Sequence, residues 1–223
     1  MGQLFKSTLL VLTALFPIVN PLGGAPIFLS LTRYYSGDQR KMLSRRIAIN
    51  CIILIVASYF IGTYILDFFG ISIPVVQVGG GMVVVSTGWA LLKQKDEDAT
   101  KADVHRSVDT NDLFQKAFYP LTLPLTVGPG SISVAITLGA NEPHSTHSLL
   151  MAMIGALIGS ILIAASVYIC YAFSDRLAQA LGATGMSVVM RLSSFLLVCI
   201  GTQIMWNGIS ALLRSLSAAG HHG

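Results

Sequence analysis

Six stretches of the chain, 7–32, 47–66, 68–92, 117–141, 148–174 and 192–213, run without a single charged side chain. A helix needs about 20 such residues to cross a ~30 Å hydrocarbon layer, and each stretch meets that length. An unsatisfied backbone group in lipid costs several kcal/mol, and no stretch alternates polar and apolar residues as a barrel strand does, so helices are expected. Composition agrees: 11% charged residues and a mean hydropathy of +0.71 describe a chain whose solvent is lipid. The fold class expected is an all-α membrane protein with six transmembrane helices in one domain, 1–223. The first stretch is too long for the apolar core of a signal peptide and no small-residue cleavage site closes it, so it is expected to remain a span.

The net charge of +4 does not point to nucleic acid, because the 14 Lys and Arg stand between apolar stretches and form no basic face. They orient the chain instead. Connections after the first, third and fifth stretches hold Arg33, Arg40, Lys41, Arg45 and Arg46, then Lys93, Lys95, Lys101, Arg106 and Lys116, then Arg176 and Arg191. The opposite side has Lys6 and Arg214 alone. By the positive-inside rule these basic connections are expected in the cytoplasm and both termini on the opposite, outward side. The segment 93–116 mixes both charge signs without apolar periodicity and reads as a cytoplasmic linker between 1–92 and 117–214.

Those two halves repeat each other. Phe16-Pro17, Asn20-Pro21-Leu22 and Pro26 lie at one constant offset over Tyr119-Pro120, Leu123-Pro124-Leu125 and Pro129. Three prolines in register are harder to reach by chance than a leucine match. Each half holds an odd number of stretches, so the second enters the membrane from the other side, as in the inverted repeats of secondary transporters. Proline inside a helix removes a backbone bond and clashes with the preceding turn, at ~3 kcal/mol or more. Helices 1 and 4 are therefore expected to be discontinuous at Pro17, Pro21 and Pro26 and at Pro120, Pro124 and Pro129. Broken backbone survives at membrane depth only where protein or a water-filled cavity satisfies it, so the breaks are expected to face each other.

Freed N–H groups at a half-helix N-terminus suit a carboxylate, and freed carbonyls at the opposite end suit an ammonium group. A small zwitterion carries both. Candidate solute-binding residues are Asn20, Gly23, Gly24, Thr122, Thr126, Gly128, Gly130 and Ser131, with Ser133 a further neutral hydrogen-bonding side chain. The glycines leave room for little more than a small ligand. Glycine also serves plain helix contact, which is the expectation for Gly155-x-x-x-Gly159 and for Gly79-Gly80-Gly81.

No ionisable side chain lies deep in a stretch, so no buried carboxylate relay is visible. His144-x-x-His147 stands in a short connection without further ligands nearby, so no metal is expected. No nucleophile, base and orienter set marks an enzyme, and no Walker A loop marks ATP as an energy source, so neither catalysis nor a cofactor is expected.

The chain resembles the MarC family of bacterial and archaeal inner-membrane proteins. The resemblance rests on Asn20-Pro21-Leu22-Gly23 through Pro26-Ile27-Phe28, on Phe69-Gly70-Ile71-Ser72-Ile73, on Pro120 through Gly128-Pro129-Gly130-Ser131-Ile132, and on Phe195 through Gly201 with Asn207-Gly208-Ile209. It departs from the usual pattern at Gln77, where an arginine is common. The resemblance implies a transporter-like fold distantly similar to the LysE-type amino-acid exporters, with small neutral amino acids such as glycine or alanine as solutes. The function expected is secondary transport or exchange of such solutes by alternating access. Two alternatives stand beside it: export of another metabolite or drug, and a non-transporting scaffold or sensor. The partners expected are a small zwitterionic solute and membrane lipid, with homo-oligomerisation left open.

Overall fold

The computed structural model describes residues 2–93, 116–141 and 146–219. The linker expected over 93–116 and the connection holding His144 therefore lie almost wholly outside the described residues. The described chain is all helix and turn, without a strand. Its elements are α1 Gly2–Val19, α2 Pro21–Leu31, α3 Gly37–Phe69, α4 Ile73–Lys93, a π-helical turn Ala117–Thr122, α5 Pro129–Ala140, α6 Thr146–Ala172 and α7 Ser174–Ala219.

Local chemistry sets most of these ends. Ser36 caps α3 in a reciprocal box with Gln39: Gln39 N–H donates to Ser36 Oγ at 3.2 Å and Ser36 N–H donates to Gln39 Oε1 at 2.8 Å. Gly70, at φ 66°, ends the same helix in the left-handed conformation, and Ile71 N–H closes back on Leu66 O at 2.9 Å. That turn returns the chain directly into α4.

Among the described residues, five helices are long and apolar enough to cross a membrane: Leu4–Leu31, which α1 and α2 make together, then Gly37–Phe69, Ile73–Lys93, Leu149–Ala172 and Thr184–Ser217. Six were expected. The stretch 117–141 is instead divided into the π turn and the 12-residue α5, which at ~1.5 Å per residue spans about 18 Å and does not cross alone. The last helix also begins earlier than expected. Apart from Gly182 (φ 66°, ψ 176°), α7 is continuous from Ser174, and Arg191, expected outside the last span, lies exposed on the helix. Counting charge-free residues stops at the first cation, whereas a long cationic side chain leaves the helix free to continue and reaches outward.

Apolar burial contributes little against lipid tails, so close backbone approach and hydrogen bonds decide the packing. α4 lies along α7, α3 along α6, and α1 and α2 along α6, while α5 lies against α3 and α4 and α2 against α7. At the α4–α7 contact a Cβ on Gly81 would stand 2.6 Å from Gly201 O, and one on Gly201 would stand 2.7 Å from Val85 N. α6 meets α1 through Gly155 and Gly159, beside Ser7 and Val11. Around Leu15, Phe28, Ile47, Ile163 and Tyr171, all fully buried, α1, α2, α3 and α6 form the solid side of the molecule.

Candidate functional site

The first break is a single residue. Asn20 takes φ 47° and ψ 60°, a left-handed conformation that asparagine tolerates better than most side chains. Its Oδ1 accepts the Gly23 N–H at 3.1 Å, and Pro21 occupies the first turn of α2, where its missing N–H leaves nothing unpaired. The ladder is also carried across the break, from Asn20 N–H to Phe16 O and from Gly24 N–H to Asn20 O, both 2.9 Å. Pro17 and Pro26, expected as further breaks, are held inside α1 and α2. Each removes one backbone bond, and neighbouring turns tolerate that loss within a membrane bundle.

The second break is longer. Tyr119 leaves helical geometry at φ −124° and ψ 125°, Leu123 is extended, and the Tyr119–Pro120 and Leu123–Pro124 peptide bonds are cis. Hydrogen bonds spanning five residues replace the lost α-helical ones: Val127 N–H to Thr122 O at 2.8 Å, Thr122 Oγ1 to Ala117 O at 2.6 Å and Thr126 Oγ1 to Leu121 O at 2.7 Å. Helix α5 then starts at Pro129 behind an extended Gly128. No side chain caps it, since the Ser131 hydroxyl donates to Gly128 O at 2.9 Å. Its first amides and the helix dipole behind them are left for something else.

Both breaks line one cavity of about 580 Å³. Asn20, Gly23 and Gly24 reach it from the first half, and Thr126, Gly128, Gly130 and Ser131 from the second, with Pro120, Pro124 and Pro129. Pro17, Pro21 and Pro26 do not line it. Thr122 does not either: it is fully buried, and its Oγ1 accepts from Asn50 Nδ2 at 3.3 Å on the far side of the π turn. Ser133 is not part of the lining either; it is buried and donates to Val76 O at 2.8 Å. The remaining walls are aliphatic, from Ile18, Val19, Ile27 and Leu31 to Val83, Val84, Leu91 and Leu197, with Thr87 among them. This space exceeds what the glycines alone led one to expect.

The cavity runs from the breaks toward Leu31 and Leu91, the ends of α2 and α4 that precede Arg33 and Lys93. Beyond Ser131, α5 leaves the cavity wall and packs against α3 and α4. Gly62 faces Ile136, Gly139 faces the Tyr59 carbonyl, and Gly80 faces Ser133, each pair so close that an added Cβ has no room. Three close contacts thus pack the half-helix α5 against α3 and α4.

One residue missed from sequence holds the two breaks together. Tyr171, near the end of α6, is fully buried and stacks on Phe28 of α2 with ring centroids 4.6 Å apart. Its hydroxyl lies 3.0 Å from Thr126 Oγ1. Because Thr126 commits its own hydrogen to Leu121 O, Tyr171 is the donor. A Cβ on Gly24 would stand 2.5 Å from the same hydroxyl. A tyrosine near a span end reads as an interfacial anchor, so nothing in the sequence marked it. Asn50, the partner of Thr122, is one polar residue in an apolar stretch, and no local pattern in the sequence marks it. Among the described residues, no three His, Cys, Asp or Glu side chains converge as a metal site.

Helices long enough to cross a membrane, closed around a cavity that two interrupted segments share, define a polytopic integral membrane protein with an internal site. A sequence profile described as "MarC family integral membrane protein" matches residues 5–213, and the chain belongs to that family. It is 30% identical to an inner membrane protein MarC of Escherichia coli O157:H7 over 219 residues, covering 96% of this chain and 99% of that one. A membrane protein of Archaeoglobus fulgidus is 30% identical over 205 residues, 92% of each chain. No solved structure matches.

Proposed function

We propose that the chain is a secondary transporter or exchanger of small neutral amino acids, with the solute held between the two breaks. The observation that carries this reading is the single cavity reached by Asn20, Gly23 and Gly24 from one half and by Thr126, Gly128, Gly130 and Ser131 from the other. The uncapped start of α5 offers amides to a carboxylate. Carbonyl groups freed at the ends of α1 and the π turn suit an ammonium group. Nothing in this site calls for bond-making chemistry, and the reading is of a carrier rather than an enzyme.

Support for two inverted repeats comes from the packing. When the halves are exchanged, α1 and α2 taking the place of the π turn and α5, α3 that of α6, and α4 that of α7, every major contact maps onto another. α1 and α2 against α6 becomes the π turn and α5 against α3; α4 against α5 becomes α7 against α2; α4–α7 and α3–α6 map onto themselves. Six crossings, with the π turn and α5 making the fourth, place both termini on the periplasmic side by the charge rule. The open end of the cavity then faces the cytoplasm, and α5 is the closed periplasmic gate. Alternating access loosens α5 from Tyr59, Gly62 and Gly80 while the region around Leu31 and Leu91 closes.

A second reading is favoured by the cavity volume. About 580 Å³ with aliphatic walls accommodates a bulkier apolar solute than glycine, so export of a larger metabolite is the competing function. Flux of labelled glycine, alanine and leucine into proteoliposomes separates the two. Saturable glycine or alanine flux supports the first reading. Absence of saturable flux for every small zwitterion, against flux of a larger apolar compound, replaces it with the second.

A further inference from the structure

One face of α7 packs on α4 through Gly201, Met205 and Gly208. On the other side of the helix Phe195, Leu196, Cys199, Gln203, Trp206 and Asn207 recur at helical spacing, and all six are exposed. This span is the least covered of those among the described residues: 17% of its most apolar window is buried, against 22–44% in the others. An apolar face against lipid needs no cover. Gln203 and Asn207, however, are not apolar. Gln203 stands at the middle of the charge-free stretch 192–213, so at ~1.5 Å per residue about 17 Å separate it from Arg191 on one side and Arg214 on the other. That is the depth of the bilayer centre. Gln203 Nε2 donates to Asn207 Oδ1 at 2.9 Å, and among the described residues no further hydrogen bond reaches Gln203 Oε1 or Asn207 Nδ2. Lipid tails offer neither group a partner, which is costly at this depth.

We propose that α7 pairs with α7 of a second copy of this chain, Gln203 Oε1 of each copy accepting from Asn207 Nδ2 of the other. The chemistry of the pair selects the occupant. The bond within the helix leaves over one acceptor and one donor group, a set complementary to itself under two-fold symmetry, so a symmetric pair satisfies both groups on both copies. Depth selects the same occupant. A second copy inserted in the same direction carries its amides at the same level of the bilayer, whereas a partner of other sequence needs an amide placed at that one depth. Phe195 and Trp206 flank the amides and supply the aromatic contact area common in interface cores. Leu197 of the same helix is buried and lines the cavity, so the interface backs the cavity wall and each copy keeps its own site.

Native mass spectrometry of the full chain released from detergent micelles tests the proposal, and a dimer is expected. Gln203→Leu with Asn207→Leu removes both bonds between the copies at exposed positions and adds no polar group. At the average strength of hydrogen bonds between membrane helices, it weakens dimerisation about 8-fold. A second measurement does not depend on that variant. In membranes holding the chain with Cys51 and Cys170 replaced by alanine, a short bis-maleimide is expected to join two copies through Cys199, one turn from Gln203 on the same face. With Cys199 also replaced and Ile53→Cys placed on the exposed face of α3, the same reagent is expected to leave the chain monomeric. A chain that is monomeric in the micelles, a dimer that the two leucines leave as tight as before, or equal cross-linking from positions 53 and 199 overturns the proposal. A product cross-linked at position 199 whose mass is not that of two chains shows another membrane protein on this face and overturns the choice of a second copy.

Discussion

The hydroxyl of Tyr171 donates to Thr126 Oγ1 at 3.0 Å, its ring stacks on Phe28 of α2, and a Cβ on Gly24 would stand 2.5 Å from that hydroxyl, so one side chain from α6 touches both interrupted segments. A hydrogen bond between membrane helices is worth about 0.6 kcal/mol on average and up to ~1.7. Tyr171→Phe is expected to lower stability in detergent by that order. Gly24→Ala drives a methyl group into the hydroxyl and is expected to cost about 1–3 kcal/mol. Removing the hydroxyl makes part of the room the methyl group needs, so the double variant is expected to be more stable than the sum of the two single changes. Additive losses, read from denaturant unfolding of all four proteins, contradict the contact.

The run Gly79-Gly80-Gly81 separates into three roles. Gly81 meets the backbone of α7, Gly80 meets Ser133 of α5, and nothing stands within 4 Å of a Cβ on Gly79. Gly79→Ala is therefore expected to be neutral or to stabilise by up to ~1 kcal/mol through helix propensity. Gly201→Ala strikes Val85 N at 2.7 Å and Gly81 O at 2.8 Å, backbone atoms that cannot rotate away. It is expected to destabilise by about 1–3 kcal/mol. Unfolding midpoints of the two variants check the contrast.

Whether the divided segment 117–140 crosses the bilayer decides the sidedness of the chain. With the other five helices crossing, a sixth crossing returns the C-terminus to the side of the N-terminus, and a re-entrant segment leaves it opposite. Reporter fusions after residue 219 and before residue 2 are expected to report the periplasm together, with a reporter inside 94–115 reporting the cytoplasm. Termini on opposite sides contradict two inverted halves.

Much of this architecture was legible because lipid is a demanding solvent. Charge-free length marked five helices long enough to cross but not the division of 117–141, and Pro21, Pro124 and Pro129 marked where helices do not continue. The exact use of each proline was not legible. Pro17 and Pro26 have the same residue type as Pro21, yet only Pro21 sits where a first helical turn needs no N–H. Asn20 lines the cavity as its place in the sequence suggests, and its Oδ1 also caps its own helix, a second use that the left-handed backbone at this position sets up. Tyr171 and Asn50 act through partners more than forty positions away, Thr126 and Thr122, and no local pattern encodes such a pairing. The start of α7 was hidden by Arg191, because a helix outlasts the charge-free stretch within it.

The most direct test of the central claim is solute protection at the cavity wall. In a chain with Cys51, Cys170 and Cys199 replaced by alanine, Thr87→Cys puts a thiol on α4 facing the space between the breaks. A membrane-impermeant maleimide is expected to label it from the cytoplasmic face, and the transported amino acid is expected to slow that labelling in a saturable way. Labelling that proceeds at the same rate with and without a solute the protein demonstrably moves would place the solute elsewhere and contradict the account.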